Sequence, residues 1–285
     1  MNDSDTFKIL QFTDLHLRDL PFSDEDRQTF HLIEQMIARH QPGLIIFTGD
    51  MVWGTVARQA DQIFEAFLDF CHHLPVPVAL TYGNHDTNQP EVSRKLFHEL
   101  AQRLTNHVPK NQLLTVNERE NYTIEIYDRQ DQLCHVLAVL DSGEYSTSAI
   151  SRYDWILPEQ ITWYQTMSAY YQQQSTQQIV AFQHIPLIEF YEAYKKNKPF
   201  NGGVGPVRVD SPSINTGFFA TLLFDPLTQG LFVGHNHNNN FQTNYHGLEM
   251  IFGQVSGYGA NAELQRGARF IELSEQGFYT ERVYL

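Results

Sequence analysis

Apolar runs and amphipathic stretches alternate through the first third of the chain. Phe7 to Phe12 is a short β run. Asp24 to His40 reads as a helix, with Phe30, Ile33 and Ile37 near helical spacing and Ser23 placed as its N-cap. Pro42-Gly43 interrupts, and Leu44 to Phe47 is then continuously apolar, the pattern of a strand covered on both faces. Ala57 to His72 predicts a second helix with Ile63, Phe64, Phe67, Leu68 and Cys71 on one face. Val76 to Leu80 predicts a third buried strand and Pro90 to Leu104 a third helix. Strand, loop and helix thus repeat three times. That is a βαβ series, whose functional loops belong at the carboxyl ends of parallel strands.

The middle of the chain changes character. Leu113 to Val116, Tyr122 to Tyr127 and Cys134 to Leu140 read as antiparallel strands, with Asp128 to Gln132 as the turn between the last two. Pro158 to Tyr171 is helical, followed by a Gln-rich tail to Gln178 expected to be a solvated helix end and loop. Ile179 to Phe182 is another strand. Lys195 to Ser213 reads as a long irregular loop of the kind that often faces a substrate. Gly230 to Val233 is a strand. Phe241 to Thr243, Glu249 to Phe252, Ala268 to Leu273 and Phe278 to Tyr284 are expected to complete a mixed or antiparallel second sheet. No internal repeat or dividing linker is visible, so one domain over 1–285 is expected.

Composition narrows the class. A chain of 285 residues with 42% hydrophobic content is ample for a folded core. Its formal charge of −14 repels nucleic-acid backbones and anionic membranes, although bound cations can reverse the sign locally. Two cysteines, Cys71 and Cys134, make no disulfide framework and read as small buried hydrophobes. Met1 to Asp5 lacks the basic and apolar regions of a signal peptide, and no run approaches 18 apolar residues. A cytoplasmic protein without nucleic-acid or membrane partners is expected.

The chemistry sits where the apolar runs stop. Five segments end in metal-binding side chains: Asp14-Leu15-His16, Gly49-Asp50, Gly83-Asn84-His85-Asp86, His184-Ile185-Pro186 and Gly234-His235-Asn236-His237. Asp, Asn and His supply oxygen and nitrogen ligands in number enough for two cations. Each segment follows a strand, and five strand ends are expected to converge by lying side by side. The other eight histidines, such as His72, His98 and His135, read as ordinary surface or core residues.

These motifs, in this order, resemble the calcineurin-like metallophosphoesterases, from about Lys8 to Gly253. The stretches FTGD, GNHD, HIPL, NTGFF and VGHNH, with Leu140 to Ser146, further resemble a branch related to purple acid phosphatases. The resemblance implies an α/β fold: a four-layer α/β/β/α sandwich of two mixed sheets flanked by helices. It implies that Asp14, His16 and His237 hold one metal, that Asn84, His184 and His235 hold the other, and that Asp50 bridges them, with the metals about 3.5–4 Å apart. Two departures stand out. Trp53 replaces the Tyr that ligates ferric iron in purple acid phosphatases, so divalent Mn, Fe or Zn is expected in place of a tyrosinate–iron site. Asn236 stands where many relatives have Asp, and is not expected to be a ligand.

The expected reaction is hydrolysis of a small phosphorylated compound, mono- or diester, by metal-activated hydroxide. Asn84 and His85 would contact the phosphoryl group. His85 would protonate the leaving group, oriented by Asp86. Asp141 reads equally as a turn residue or a support for the site, Asn201 to Gly205 more as a flexible loop than a substrate cradle, and Tyr258 and Arg208 are weaker substrate contacts. A metal-dependent nuclease is the alternative, disfavoured by the negative charge and the lack of Lys/Arg clusters. A non-catalytic metal-binding scaffold is a further one.

Overall fold

The computed structural model describes residues 6–89, 91–174, 176–203 and 205–285. The N-terminal segment read as no signal peptide, together with Pro90, Ser175 and Val204, lies outside the described residues.

Three strand–helix units open the chain: β1 (Phe7–Phe12), α1 (Asp24–His40), β2 (Leu44–Thr48), α2 (Ala60–His72), β3 (Val78–Thr81) and α3 (Arg94–Ala101). The predicted cap of α1 forms fully. Ser23 Oγ accepts from Asp26 N, while Asp26 Oδ2 accepts from Ser23 N. α2 begins three residues later than expected because Val56 and Ala57 turn back onto the Trp53 carbonyl and Gln89 takes the carbonyls of Gly54 and Ala57. α3 is shorter than expected, starting behind its cap Ser93.

Antiparallel strands β4 (Asn111–Val116), β5 (Arg119–Tyr127) and β6 (Leu133–Val139) follow, then α4 (Pro158–Gln173) and β7 (Gln178–Phe182). Two helices escaped the sequence reading. α5 (Glu189–Asn197) claims the start of the expected loop, with Glu189 and Glu192 in its first turn and Lys195 and Lys196 in its last, as the helix dipole favours. α6 (Phe218–Phe224) is built from the NTGFF segment and buries Phe218. The chain closes with β8 (Thr228–Val233), β9 (Gln242–Tyr245), β10 (Leu248–Phe252), β11 (Gly267–Ser274) and β12 (Gly277–Tyr284). The Gln-rich tail is not solvated to its end: Gln178 is buried, and its Nε2 reaches His135, Ser274 O and Gly277 O.

One sheet has the order β12-β11-β1-β2-β3 and the other β4-β5-β6-β7-β8-β10-β9. Thus β11 and β12 do not join the second sheet as expected. β11 runs antiparallel beside β1, with Phe7 opposite Leu273, because its alternate residues Ile271 and Leu273 complete the apolar layer begun by Ile9. That layer lies between the sheets, where Phe182 and Phe232 stack at 5.1 Å. Outside it, α1 to α3 cover Phe12, Ile45 and Phe47, and the second set of helices covers Val136, Ala181 and Leu231. Burying such side chains stabilises by about 1.5–3 kcal/mol each. Ile45 and Ile46 face opposite layers, which explains why β2 is apolar at every position before Thr48. The expected four-layer α/β/β/α sandwich is the observed fold. Cys71 is buried and Cys134 only half-buried, and both are free.

Candidate metal centre

The five ligand-bearing segments meet at one end of the sandwich, but not from strands lying side by side in one sheet. β1, β2 and β3 deliver Asp14, Asp50 and Asn84 from the first sheet, while β7 and β8 deliver His184 and His235 from the second. Convergence comes from the sheets packing face to face. Hydrogen bonds join them at the site, among them His184 Nδ1 with Thr48 O at 2.8 Å and His235 N to Asp14 Oδ2 at 3.1 Å.

The local backbone is unusual. Asp14, His16, Asp50 and His235 adopt left-handed conformations, with φ of 57°, 52°, 53° and 76°. Each such residue costs on the order of 1–3 kcal/mol, which the surrounding packing must offset, and such strain gathers at functional sites. Gly49 also has positive φ, at 95°, and a Cβ there would lie 2.5 Å from His184 Nδ1. A Cβ on Gly83 would collide with Asp50 Oδ1. The glycines of the GD and GNHD motifs are therefore demanded by close approach.

Two groups of donors form. Asp14, His16, Asp50 and His237 each offer an atom within 4.8 Å of the others, and so do Asp50, His184 and His235. Asp50 belongs to both. In the first group His16 Nε2 lies 2.9 Å from His237 Nε2 and 3.6 Å from Asp50 Oδ2, and Asp14 Oδ1 lies 3.4 Å from His237 Nε2. In the second, His184 Nε2 lies 3.2 Å from Asp50 Oδ2, and both atoms, with His235 Nε2, are buried without a hydrogen bond. Asn84 Oδ1, just past β3, is buried and unpartnered too. Buried polar atoms are almost always hydrogen-bonded, so the three clustered orphans of Asp50, His184 and His235 fit a cation.

The electrostatics agree. Burial raises Asp14, but the hydrogen bond and charge of His237 outweigh it and hold the carboxyl at about 2. Asp50 is likewise held well below the usual range, burial being outweighed by His184 and its neighbours. Burial pushes His16 and His235 down to about 3, so both imidazoles are neutral, the form a metal takes. Burial also opposes charge on His184, but Asp50 beside it lifts the imidazole to about 9. His237 is raised by its bond to Asp14 against the same penalty.

His85 and Asp86 part company. The His85 ring reaches Tyr145 Oη at 3.1 Å through Nε2 and Thr55 Oγ1 at 3.3 Å through Nδ1, and stands edge-on to His16 at 5.2 Å. Asp86 does not orient it, contrary to expectation. Its carboxylate is fully buried and accepts three backbone amides: Asp50 at 2.8 Å, Val52 at 2.9 Å and Gly83 at 2.7 Å. Asp86 belongs to the scaffold beneath the loops. Asp141 is a support too, pairing with buried Arg94 at 3.1 Å and accepting Gly143 N. Arg94 in turn donates to the carbonyls of Gly83 and Gly143, tying the third ligand loop to the segment after β6.

Trp53 packs its ring edge-on against His16 at 5.1 Å. Asn236 pins the long loop, accepting from Asp210 N and donating to its carboxylate, both at 3.2 Å. Asn201 bonds Asn238 O and Asn240 N, so its loop is stapled to the GHNH segment. Arg208 is exposed and paired with Asp210. Tyr258 is tied to α1 through its amide and Thr29 Oγ1. Sequence reading missed three neighbours of the site: Tyr145 on His85, Tyr153 edge-on to His235 at 4.6 Å, and Arg152 over both tyrosines at 5.9 and 5.2 Å. Tyr145 lies in the Leu140–Ser146 stretch that carries the resemblance but was given no role there, and Arg152 and Tyr153 follow on a segment with no motif of its own.

Two face-to-face mixed sheets with a shared carboxylate between two donor clusters define a candidate dinuclear metal centre on a metallophosphoesterase fold. Residues 7–239 match the family model described as calcineurin-like phosphoesterase, and the chain belongs to that family. It is 30% identical, over 93% of its length and 76% of the relative's, to the Arabidopsis thaliana protein named probable inactive purple acid phosphatase 29. It is 28% identical, over 90% and 72%, to probable inactive purple acid phosphatase 14 of the same plant. Among solved structures, a dimetal phosphatase from Danio rerio superposes with a TM-score of 0.66, covering 96% of this chain and 98% of that one at 12% identity, a likeness of fold. Among the described residues no helix is long and apolar enough to cross a membrane.

Proposed function

We propose that this protein is a two-metal phosphoesterase that hydrolyses a phosphate ester of a small molecule. The observation that carries the reading is the set of orphaned buried donors around Asp50. Asp14, His16 and His237 would hold one cation, Asn84, His184 and His235 the other, and Asp50 both. When bound, divalent cations such as Mn, Fe or Zn offset phosphoryl charge and lower the pKa of water. The chain's own groups do the rest. Asn84 and His85 contact the phosphoryl group, and His85 gives a proton to the leaving oxygen from Nε2, the nitrogen that meets Tyr145. Tyr145 and Thr55 orient that ring from its two nitrogens. Trp53 leaves no phenolate for ferric iron, which supports divalent metals.

A second reading, metal binding without turnover, draws on the word inactive in the names of the two plant relatives. Retention of His85 and all seven donors supports turnover instead. Metal analysis combined with assays on p-nitrophenyl phosphate and its bis ester, with Mn added, separates the two. Hydrolysis of either ester that disappears on chelation is the expected result. Two bound metals with no hydrolysis of either ester would establish the scaffold.

A further inference from the structure

Far from the cation cluster in composition, though tied to it by one side chain, two guanidinium groups share a cavity. Arg269 on β11 and Arg282 on β12 are direct cross-strand partners. Like charges placed opposite each other on antiparallel strands destabilise the pair. By strand alternation they share the face that carries Ile271 and Leu273 into the layer between the sheets. Arg269 is only 2% exposed. Burying a guanidinium without a counter-charge is costly, and burial together with the Arg282 charge pushes Arg269 down to about 9.

No carboxylate lies within ion-pair distance of Arg269 or Arg282 among the described residues, although Glu281 lines the same cavity. Arg269 Nε and Nη2 donate to Phe252 O, and Nη2 also to Asn240 O at 2.9 Å. Those bonds explain two of its three nitrogens and leave Nη1 without a protein acceptor among the described residues. Arg282 donates to Asn240 Oδ1 at 3.2 Å and lies 5.2 Å over the Phe200 ring. The neighbouring Glu281 sits opposite Phe270, on the face turned to α1, where the Tyr279 hydroxyl bonds it. In a chain with 33 acidic residues against 19 basic ones, an adjacent pair of arginines with no ion pair among the described residues is conspicuous. The pair lines a cavity of about 660 Å³, with Phe200, Gln265, Thr280, Glu281 and Tyr284 around it.

We propose that this cavity is a second ligand site, which takes a phosphate-type oxyanion between Arg269 Nη1 and the Arg282 guanidinium. Guanidinium forks match tetrahedral oxyanions, and a bound anion removes the repulsion between the strands. Asn240 links the site to the metal centre: it bridges Arg282, Gly202 N and Gln254 three residues beyond His237. The anion is either free phosphate or the phosphate group of a small ester.

Calorimetric titration of the full metal-loaded chain with inorganic phosphate tests this. A class of sites that Arg282→Gln removes, and that Arg282→Lys weakens at least several-fold, is expected, whether or not the metal centre supplies a second class that chelation abolishes. Arg103→Gln, at an exposed arginine paired with Glu65 outside the cavity, should leave every class intact. Circular dichroism and melting of the two Arg282 variants establish that they fold. Repeating the titration with glycerol 3-phosphate assigns the source: tighter binding than phosphate points to an ester, equal or weaker binding to the free ion. Wild-type protein without a chelation-resistant phosphate class, or such a class undiminished in both Arg282 variants, would overturn the proposal.

Discussion

Asp86 Oδ2 accepts the backbone amide of Asp50 at 2.8 Å, so the carboxylate beside the expected catalytic histidine supports the shared metal-ligand candidate. The same oxygen takes Gly83 N and the other takes Val52 N, joining two ligand loops from below. Asp50 Oδ1 meanwhile accepts His85 N at 2.8 Å. One buried carboxylate thereby fixes where another points, and the second fixes the backbone that carries His85.

Replacing Asp86 should therefore act on stability before chemistry. Asp86→Ala strands three buried amides, each worth about 1–3 kcal/mol when left unsatisfied. Thermal melting should fall by several degrees or more, with metal content falling in parallel. A variant with normal melting and metal content but low kcat would restore Asp86 to a direct catalytic role.

His85→Asn should behave in the opposite way. Loss of general acid help typically lowers kcat by about 10²–10⁴-fold. Metal content and melting should stay near wild type, since neither donor cluster includes His85. Tyr145→Phe removes one of the ring's two partners, so a smaller fall with a displaced pH profile is expected. Steady-state kinetics on metal-quantified protein decides both.

Metal stoichiometry distinguishes the shared donor from the others. Asp50→Ala should empty both positions, whereas His16→Ala should weaken one and His235→Ala the other. Elemental analysis after gel filtration reads this directly. An Asp50→Ala protein that kept two equivalents would break the shared-ligand assignment.

Proton and metal compete at His184. Its folded-state pKa is lifted to about 9, above the ordinary 6.5, so in metal-free protein it stabilises the fold fully below about pH 6.5 and loses that contribution as pH rises through about 9. Metal-free melting temperature should thus decline between those values. Metal must displace the same proton, so apparent affinity should climb across that window, about tenfold per pH unit for each proton released. Melting curves with and without chelator, and competition with a metal-sensitive dye across pH, test both halves. A flat affinity over the window would refute the proton exchange.

Much of the architecture was legible in local pattern. β1 and α1 fall where apolar runs and the Ser23 cap place them, because strand and helix periodicities are local properties. The ligand candidates were legible because each stands two to four residues past a strand. α5 and α6 were not: α5 buries only Phe190 and Ala193 through its body, and α6 spans seven residues. The roles of Tyr145, Tyr153 and Arg152 were not legible because what places them beside the histidines is contact across the fold.

By itself, then, the sequence determined the strands and helices α1 to α4, the donor side chains and the family, since these depend on residue type and short spacing. Tertiary structure alone decided three things. It brought the donors together from two sheets instead of one, because face-to-face packing, not strand adjacency, closes the site. It sent β11 and β12 back to β1, because the inter-sheet layer needed Ile271 and Leu273 beside Ile9. And it turned Asp86 away from His85, because its carboxylate accepts three buried amides, those of Asp50, Val52 and Gly83.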